Sequence, residues 1–326
     1  MSSTAVEAAT VSAYREVADE LAGGPVEEQA LGWRSVACPT LPQAPHLTAA
    51  RAPLLQPVRI VDAHGRDRVI DIPLERALTV YVDRREVVTL MTLGVRPELL
   101  VLGWLLNQRL VDRLEEIESI TVDWDVGAAA VRTRAGLPAW EERSAHRVVT
   151  TGCGQGTVFG DLMADLADLK LPSPAEARIG QRALMRILEG MRGLDSVHRR
   201  AGSVHGCALF DAKSTRMLVF VEDVGRHNAV DTVTGWMRLH GVAGRDKVMC
   251  TTGRLTSEMV MKCAHADIPV VVSRNGATAM GLAMAQQLGM ALFGRASNRH
   301  FLCYSGFERF DAEPEPEPPT LRVAVG

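Results

Sequence analysis

Between Ser203 and Phe293 short apolar strands alternate with helices, and this rhythm restricts the fold more than anything else in the sequence. Strand-type runs are expected near Ser203–Phe210, at Met217–Val221, Lys247–Thr251 and Ile268–Ser273, and near Met290–Phe293. Helical periodicity is expected at Asn228–Leu239, Thr256–His265 and Ala277–Leu288. Short apolar strands interleaved with helices predict an α/β layered domain. Aromatic residues make up only 5% of the chain, so its core falls to Leu, Val, Met and Ala.

Upstream the pattern changes. Leu78–Val82 and Val87–Met91 flank Asp83-Arg84-Arg85-Glu86 and predict a β-hairpin. A helix is expected from Pro97, a favoured first-turn residue, through Leu110, apolar almost all round and therefore buried on several sides. Ile117–Asp125 and Ala128–Thr133 read as further strands, and Arg147–Thr151 leads into a glycine-rich loop. Ser173-Pro174-Ala175-Glu176 has the form of a capping box ahead of a helix whose apolar face carries Ile179, Leu184, Ile187, Leu188 and Met191. Residues 1–55, rich in Ala, Ser, Thr, Pro and acids, are expected to form a poorly ordered extension. Residues 56–172 are expected to form a smaller, β-rich α+β subdomain ending in that loop, 173–306 the α/β domain, and 307–326 an acidic Pro-rich tail.

The net charge of −3 gives no global basic field for nucleic acid or an anionic membrane. The first residues lack the basic flank and apolar core of a signal peptide, and Leu99–Leu106 is too short to span a bilayer, so a soluble, cytoplasmic protein is expected. The six cysteines contain no Cys-x-x-Cys pair. In a reducing compartment they are expected to be thiols.

One of them stands apart. Cys153 lies in Thr151-Gly152-Cys153-Gly154-Gln155-Gly156, where a β-type run enters three glycines. Glycine carries no Cβ penalty, so the loop can bend sharply and display a thiol. A tight turn around a buried cysteine fits this stretch equally well. The dinucleotide fingerprint fails, because position 157 is Thr and no well-formed βαβ unit follows.

Two polar clusters sit at strand ends: Glu222-Asp223-Val224-Gly225-Arg226-His227-Asn228 and Thr251-Thr252-Gly253-Arg254. Strand carboxyl ends and helix N-termini are where α/β sheets hold phosphate, and arginine offers a bidentate fork for phosphate or a guanine edge. An anionic, nucleotide-like ligand fits. So does a purely structural role, in which Glu222 and Asp223 cap the helix and Arg226 pairs with them.

Taken together these stretches resemble the formate dehydrogenase accessory sulfurtransferase family (FdhD), over roughly Thr79 to Tyr304. The resemblance rests on the Cys153 loop, Gly202-Ser203-Val204-His205-Gly206-Cys207-Ala208, Glu222 to Asn228 with Asp231, and Thr251 to Arg254 with Glu258, Met259, Val260 and Lys262. It implies a cytoplasmic homodimer with a cytidine-deaminase-like layered α/β core. It also implies that sulfur arrives as a persulfide from a cysteine desulfurase and leaves on the molybdenum bis-(molybdopterin guanine dinucleotide) cofactor, or its tungsten equivalent, before insertion into formate dehydrogenase. The sulfur-carrying residue falls on Cys153. The cofactor-binding segment falls on Arg295, Ala296, Ser297, Asn298, Arg299 and His300, with Arg226, His227 and Arg254 as further candidate contacts.

Two departures from the family pattern stand out. Glycine occupies position 156, where many members carry a second thiol, which excludes an internal disulfide at this loop and leaves a single-cysteine relay. His300 stands in place of one family arginine. A relay needs a thiolate, which a nearby cation would favour; His205, His227 and Arg226 are the candidates. A zinc deaminase would need His-x-Glu followed by Pro-Cys-x-x-Cys, but position 207 is Cys and no such pair follows, so no intrinsic metal is expected. The alternative to a sulfurtransferase is a non-catalytic chaperone that binds the cofactor and docks the dehydrogenase, for which Cys153 is dispensable.

Overall fold

The computed structural model describes residues 26–136, 166, 169–297 and 300–313. Nine strands and one long helix come first: β1 (Val26–Ala30), β2 (Trp33–Val36), β3 (His46–Leu47), β4 (Leu55–Val61), β5 (Asp67–Pro73), β6 (Arg76–Val82), β7 (Arg85–Thr92), α1 (Pro97–Asn107), β8 (Ile117–Asp123) and β9 (Ala128–Thr133). The second half holds β10 (Ile179–Gly180), α2 (Gln181–Arg192), α3 (Val197–Ala201), β11 (His205–Asp211), β12 (Met217–Asp223), α4 (Arg226–Leu239), β13 (Lys247–Thr251), α5 (Ser257–His265), β14 (Val270–Ser273), α6 (Ala279–Leu288), β15 (Ala291–Ser297), β16 (His300–Ser305) and β17 (Phe310–Asp311). It is a mixed α/β fold, with a β-rich N-terminal region and a helix-and-sheet region behind it. Among the described residues no helix is long and apolar enough to cross a membrane.

The main sheet has eight strands in the order β1-β2-β12-β11-β13-β14-β15-β16. Strands β13, β14 and β15 run parallel, while β11 is antiparallel to both β12 and β13. Strands β12, β13, β14 and β15 therefore point the same way, opposite to β11, and their carboxyl ends share one edge. Runs such as Val248-Met249-Cys250 and Val270-Val271-Val272 are buried on both faces, as a covered parallel sheet demands. Alternation sorts the side chains: Cys207, Leu209, Met249, Val271 and Leu292 face the core shared with α1, α4, α5 and α6. Ala208, Phe210, Cys250, Val272 and Phe293 face Leu184, Ile187 and Leu188 of α2.

A second sheet, in the order β3-β8-β9-β6-β7, covers α1 from the other side. The predicted hairpin (β6–β7) and the all-round burial of the Pro97 helix are both present. Helices α1 and α4 cross backbone to backbone. A Cβ on Gly103 would lie 1.7 Å from the Asp231 carbonyl oxygen, and one on Gly235 would lie 2.0 Å from that of Leu99. Only glycine permits this approach.

Three expectations need correction. Residues 26–55 are no loose extension: β1 and β2 extend the main sheet through β2–β12 pairing, β3 pairs with β8, and Trp33 and Val36 are buried. The partners of β2 and β3 in β12 and β8 lie far away in sequence, and strands this short leave little local periodicity. Ser173 and Glu176 do meet, at 2.8 Å, but the chain makes only a turn there and α2 begins at Gln181. The Arg309 guanidinium takes the carbonyls of Pro172, Ser173 and Ala177, and Ile179 pairs with Phe310 in a strand. Finally, the last strand runs on to Ser297 and returns as β16, and the start of the expected tail, up to Glu313, is packed: Phe310 stacks edge-on against Phe293 and Phe301. The expected strand at Arg147–Thr151 and Cys153 itself lie outside the described residues.

Candidate functional site at the carboxyl edge of the main sheet

Where β12, β13, β14 and β15 end, each strand delivers polar residues, and α4, α5 and α6 begin there. Neighbouring loops are tied together. Asn275 donates its side-chain amide to the Thr252 carbonyl (2.7 Å), the Arg295 N–H donates to the Asn275 carbonyl (2.9 Å), and the Arg274 N–H to that of Thr251 (3.2 Å). The Thr251 hydroxyl accepts from the Gly253 N–H (3.1 Å) and from the Cys207 thiol (3.2 Å). Burial pushes that thiol up to about 12, so Cys207 stays protonated. Among the described residues no group of three or more His, Cys, Asp or Glu is placed to hold a metal ion.

Glu222 and Asp223, adjacent on β12, diverge to opposite faces. Asp223 accepts from the N–H groups of Leu93 (3.1 Å) and Gly225 (2.9 Å), the Asn228 amide (2.9 Å) and the Thr92 hydroxyl. It thereby ties the start of α4 to β7. Burial still lifts its pKa to about 6, against the pull of those bonds. Glu222 instead accepts from the N–H groups of Val197 (2.6 Å) and His198 (3.1 Å) and fixes α3. Burial raises its pKa as well.

On that second face lies a cavity of about 330 Å³ between α2, α3 and the sheet. Its inner wall is buried and mostly apolar: Leu188, Leu194, Phe220, Cys250 and Ala296, with Glu222 the one carboxylate among the described lining residues. Its mouth carries three exposed guanidinium groups, Arg192, Arg199 and Arg274, and the exposed His198, beside Thr252 and Ser297. His205 marks the positive field at this edge. It lies 3.3 Å from the Thr252 hydroxyl, and burial, followed by the charges of Arg226, His198 and Arg254, holds its pKa below the ordinary value. Arg226 crosses Gly253 so closely that a Cβ there would sit 2.8 Å from the arginine side chain.

The helix face of the same edge holds a buried polar cluster. Asp231, fully buried on α4, accepts from Lys262 Nζ (2.7 Å) and the Asn107 amide (2.7 Å). Lys262 also lies 3.3 Å from Glu258, whose other oxygen is 3.3 Å from His227 Nε2. Burial works against the charge on Lys262, but the Asp231 and Glu258 carboxylates outweigh it and hold its pKa above the usual lysine value.

The model of the FdhD/NarQ family matches residues 73–311, which includes both faces of this edge. The chain belongs to the FdhD/NarQ family. Its FdhD/NarQ relatives include proteins named sulfur carrier protein FdhD. The one from Bacillus licheniformis is 30% identical over 235 residues, covering 72% of this chain and 88% of the relative. The one from Wolinella succinogenes is 28% identical over 260 residues, covering 77% and 88%. A solved structure from Desulfotalea psychrophila, described as a formate dehydrogenase accessory protein, shares the fold: TM-score 0.63, 24% identity, with 79% of this chain and all of that chain covered.

The residues singled out from the sequence are only partly brought together. Ala296 and Ser297 line the cavity. Arg295 is exposed on the same strand with a left-handed backbone (φ 51°), and His300 pairs with Ser297 across the hairpin. The charges of Arg226 and Arg254 reach His205, whereas His227 is buried against Glu258 and is not among the described lining residues of the cavity. Cys153, Asn298 and Arg299 lie outside the described residues. Sequence reasoning missed the cations at the mouth. The run His198-Arg199-Arg200 was the available signal, but nothing local connects it to Arg274 or Ser297.

Proposed function

We propose that this FdhD/NarQ protein is a sulfur carrier that serves the maturation of formate dehydrogenase. Cys153 takes up sulfur from the persulfide of a cysteine desulfurase and passes it to the bis-(molybdopterin guanine dinucleotide) cofactor, which is bound as substrate. The observation that carries this reading is membership of the FdhD/NarQ family together with a glycine-flanked thiol in the matched span. In the loading step the Cys153 thiolate attacks the terminal sulfur of the donor persulfide. A new S–S bond forms, the donor S–S bond breaks, and the donor cysteine leaves as a thiolate, with no net change in oxidation level. Glycines on both sides of Cys153 suit a loop that must enter two partner sites in turn.

In this reading the nucleotide part of the cofactor contacts the segment from Arg295 to His300, supported by Arg226, His227 and Arg254. The two lining residues Ala296 and Ser297 favour that placement. The core is of cytidine-deaminase type without its metal chemistry, and the protein acts in the cytoplasm as a homodimer. A second reading, a cofactor-binding chaperone, draws support from glycine at position 156 in place of a second thiol.

One experiment separates the two. After incubation with a cysteine desulfurase and cysteine, Cys153 is expected to gain the mass of one sulfur atom, and the Cys153→Ala variant to leave formate dehydrogenase inactive. A Cys153→Ala protein that supports full dehydrogenase activity would establish the chaperone reading instead. Sulfur found on another residue would reject Cys153 as the carrier.

A further inference from the structure

We propose that the acidic Glu-Pro tail docks along the exposed arginine row of α2, with Glu315 paired to Arg186. The structure shows where this path begins. Ile179-Gly180 and Phe310-Asp311 run parallel, as β10 and β17. Asp311 accepts from two N–H groups of the Arg178 guanidinium. Glu313 then accepts from Arg182 in the first turn of α2 (2.6 Å), and its own N–H donates to the Gln181 side chain (3.1 Å). The packed end of the chain and the helix thus advance in the same direction, and two residues of the former carry one acid to the next arginine.

The sequence repeats both sides of this match. Arg186 follows Arg182 by four residues, about 6 Å along the helix, and shares its exposed face. Glu315 follows Glu313 by two residues in Glu313-Pro314-Glu315-Pro316-Glu317-Pro318-Pro319. Each of these glutamates precedes a proline, which favours extended backbone, and alternate residues of an extended chain lie about 6–7 Å apart. The next carboxylate therefore comes level with the next guanidinium. Proline has no N–H, so the tail cannot prolong the β10–β17 ladder, and charge must hold it. Charge favours the contact from both sides. Helix α2 carries three arginines against one glutamate, Glu189, which lies 3.9 Å from Arg192. Among the described residues no carboxylate lies within ion-pair distance of Arg186. The tail from Glu313 to Pro319 has three acids and no base. One exposed ion pair is worth little, but three in register, on a chain tethered beside its partner, act at high effective concentration.

The test is a zero-length cross-link in the full chain. Arg186→Lys keeps the charge and supplies an amine, which a water-soluble carbodiimide joins only to a carboxylate in direct contact. Arg186 is exposed, so the variant is expected to fold like the parent protein. Digestion and tandem mass spectrometry are expected to find the new amine joined to Glu315 at least about threefold more often than to Glu313 or Glu317. The yield is expected to fall at least about twofold in roughly 1 M NaCl, where screening weakens exposed pairs. In a mixture of heavy-nitrogen-labelled and unlabelled chains, both linked peptides are expected to carry the same label. An amine that couples only to Glu189, or to nothing, overturns the docking. Equal coupling to all three tail glutamates overturns the register. A yield indifferent to salt marks chance encounters of a tethered chain and overturns the charge pairing. Products of mixed label would give this face to the tail of a second copy and overturn the contact within one chain.

Discussion

The two faces of the carboxyl edge use the same side-chain chemistry to opposite ends. On the helix face Asp231, Lys262, Glu258 and His227 form a chain of polar partners, all buried but the partly buried Glu258, in which carboxylates alternate with nitrogen groups. On the α2 face arginines stand exposed around a cavity whose described lining includes one carboxylate, already engaged by backbone donors. Matched, sealed charge fixes the mutual position of α1, α4 and α5. Cationic excess around an open cavity is what an anionic ligand completes. Glu222 and Asp223 express the contrast in two adjacent residues, because a strand sends neighbours to opposite faces.

The largest effect is expected from breaking the sealed side. Lys262→Met leaves Asp231 fully buried beside Asn107 with its cation gone, and should cost about 3–5 kcal/mol in urea unfolding. The double variant Lys262→Met/Asp231→Leu removes both charges and should recover most of that loss. A cost below about 1 kcal/mol for the single variant would mean that the cluster is hydrated and not sealed.

Next comes the pH response of Asp223. Its pKa is about 6 in the folded protein against an ordinary value of 3.8, so between those limits the native state binds the proton more tightly than the unfolded chain. Its contribution to stability therefore falls as pH rises from about 4 to 6 and is flat above, by roughly 3 kcal/mol in all. In Asp223→Asn the denaturation midpoint should lose this slope relative to the parent. Parallel pH profiles for the two proteins would show that Asp223 titrates normally.

These contrasts were unequally legible in the sequence. The hairpin β6–β7, α1, β9 and β13 declare themselves through local alternation, a turn or a first-turn proline, and the structure has them within a few residues of the expected bounds. Strands β2 and β3 do not, because each is too short to show a period and gains a ladder from β12 or β8, remote in sequence, and β1 joins the sheet only through β2. The same physics governs the site. That the polar clusters gather at one strand edge follows from strand–helix alternation, and Ala296 and Ser297 came from a family resemblance. The meeting of Arg199 with Arg274 depends on α2 and α3 folding over the sheet, and no local pattern encodes it.

The smallest effect on stability should come from the open side. Arg274 is exposed, makes no described ion pair, and contributes to the fold through its backbone N–H, which a substitution keeps. Arg274→Gln should thus unfold within about 0.5 kcal/mol of the parent protein. Combined with the large loss expected for Lys262→Met, this would mean that cations on the two faces of one sheet edge have been divided between holding the protein together and holding something else. A loss of 2 kcal/mol or more in Arg274→Gln, roughly the scale of a buried charged hydrogen bond, would instead place this arginine among the structural charges and erase the distinction between the two faces.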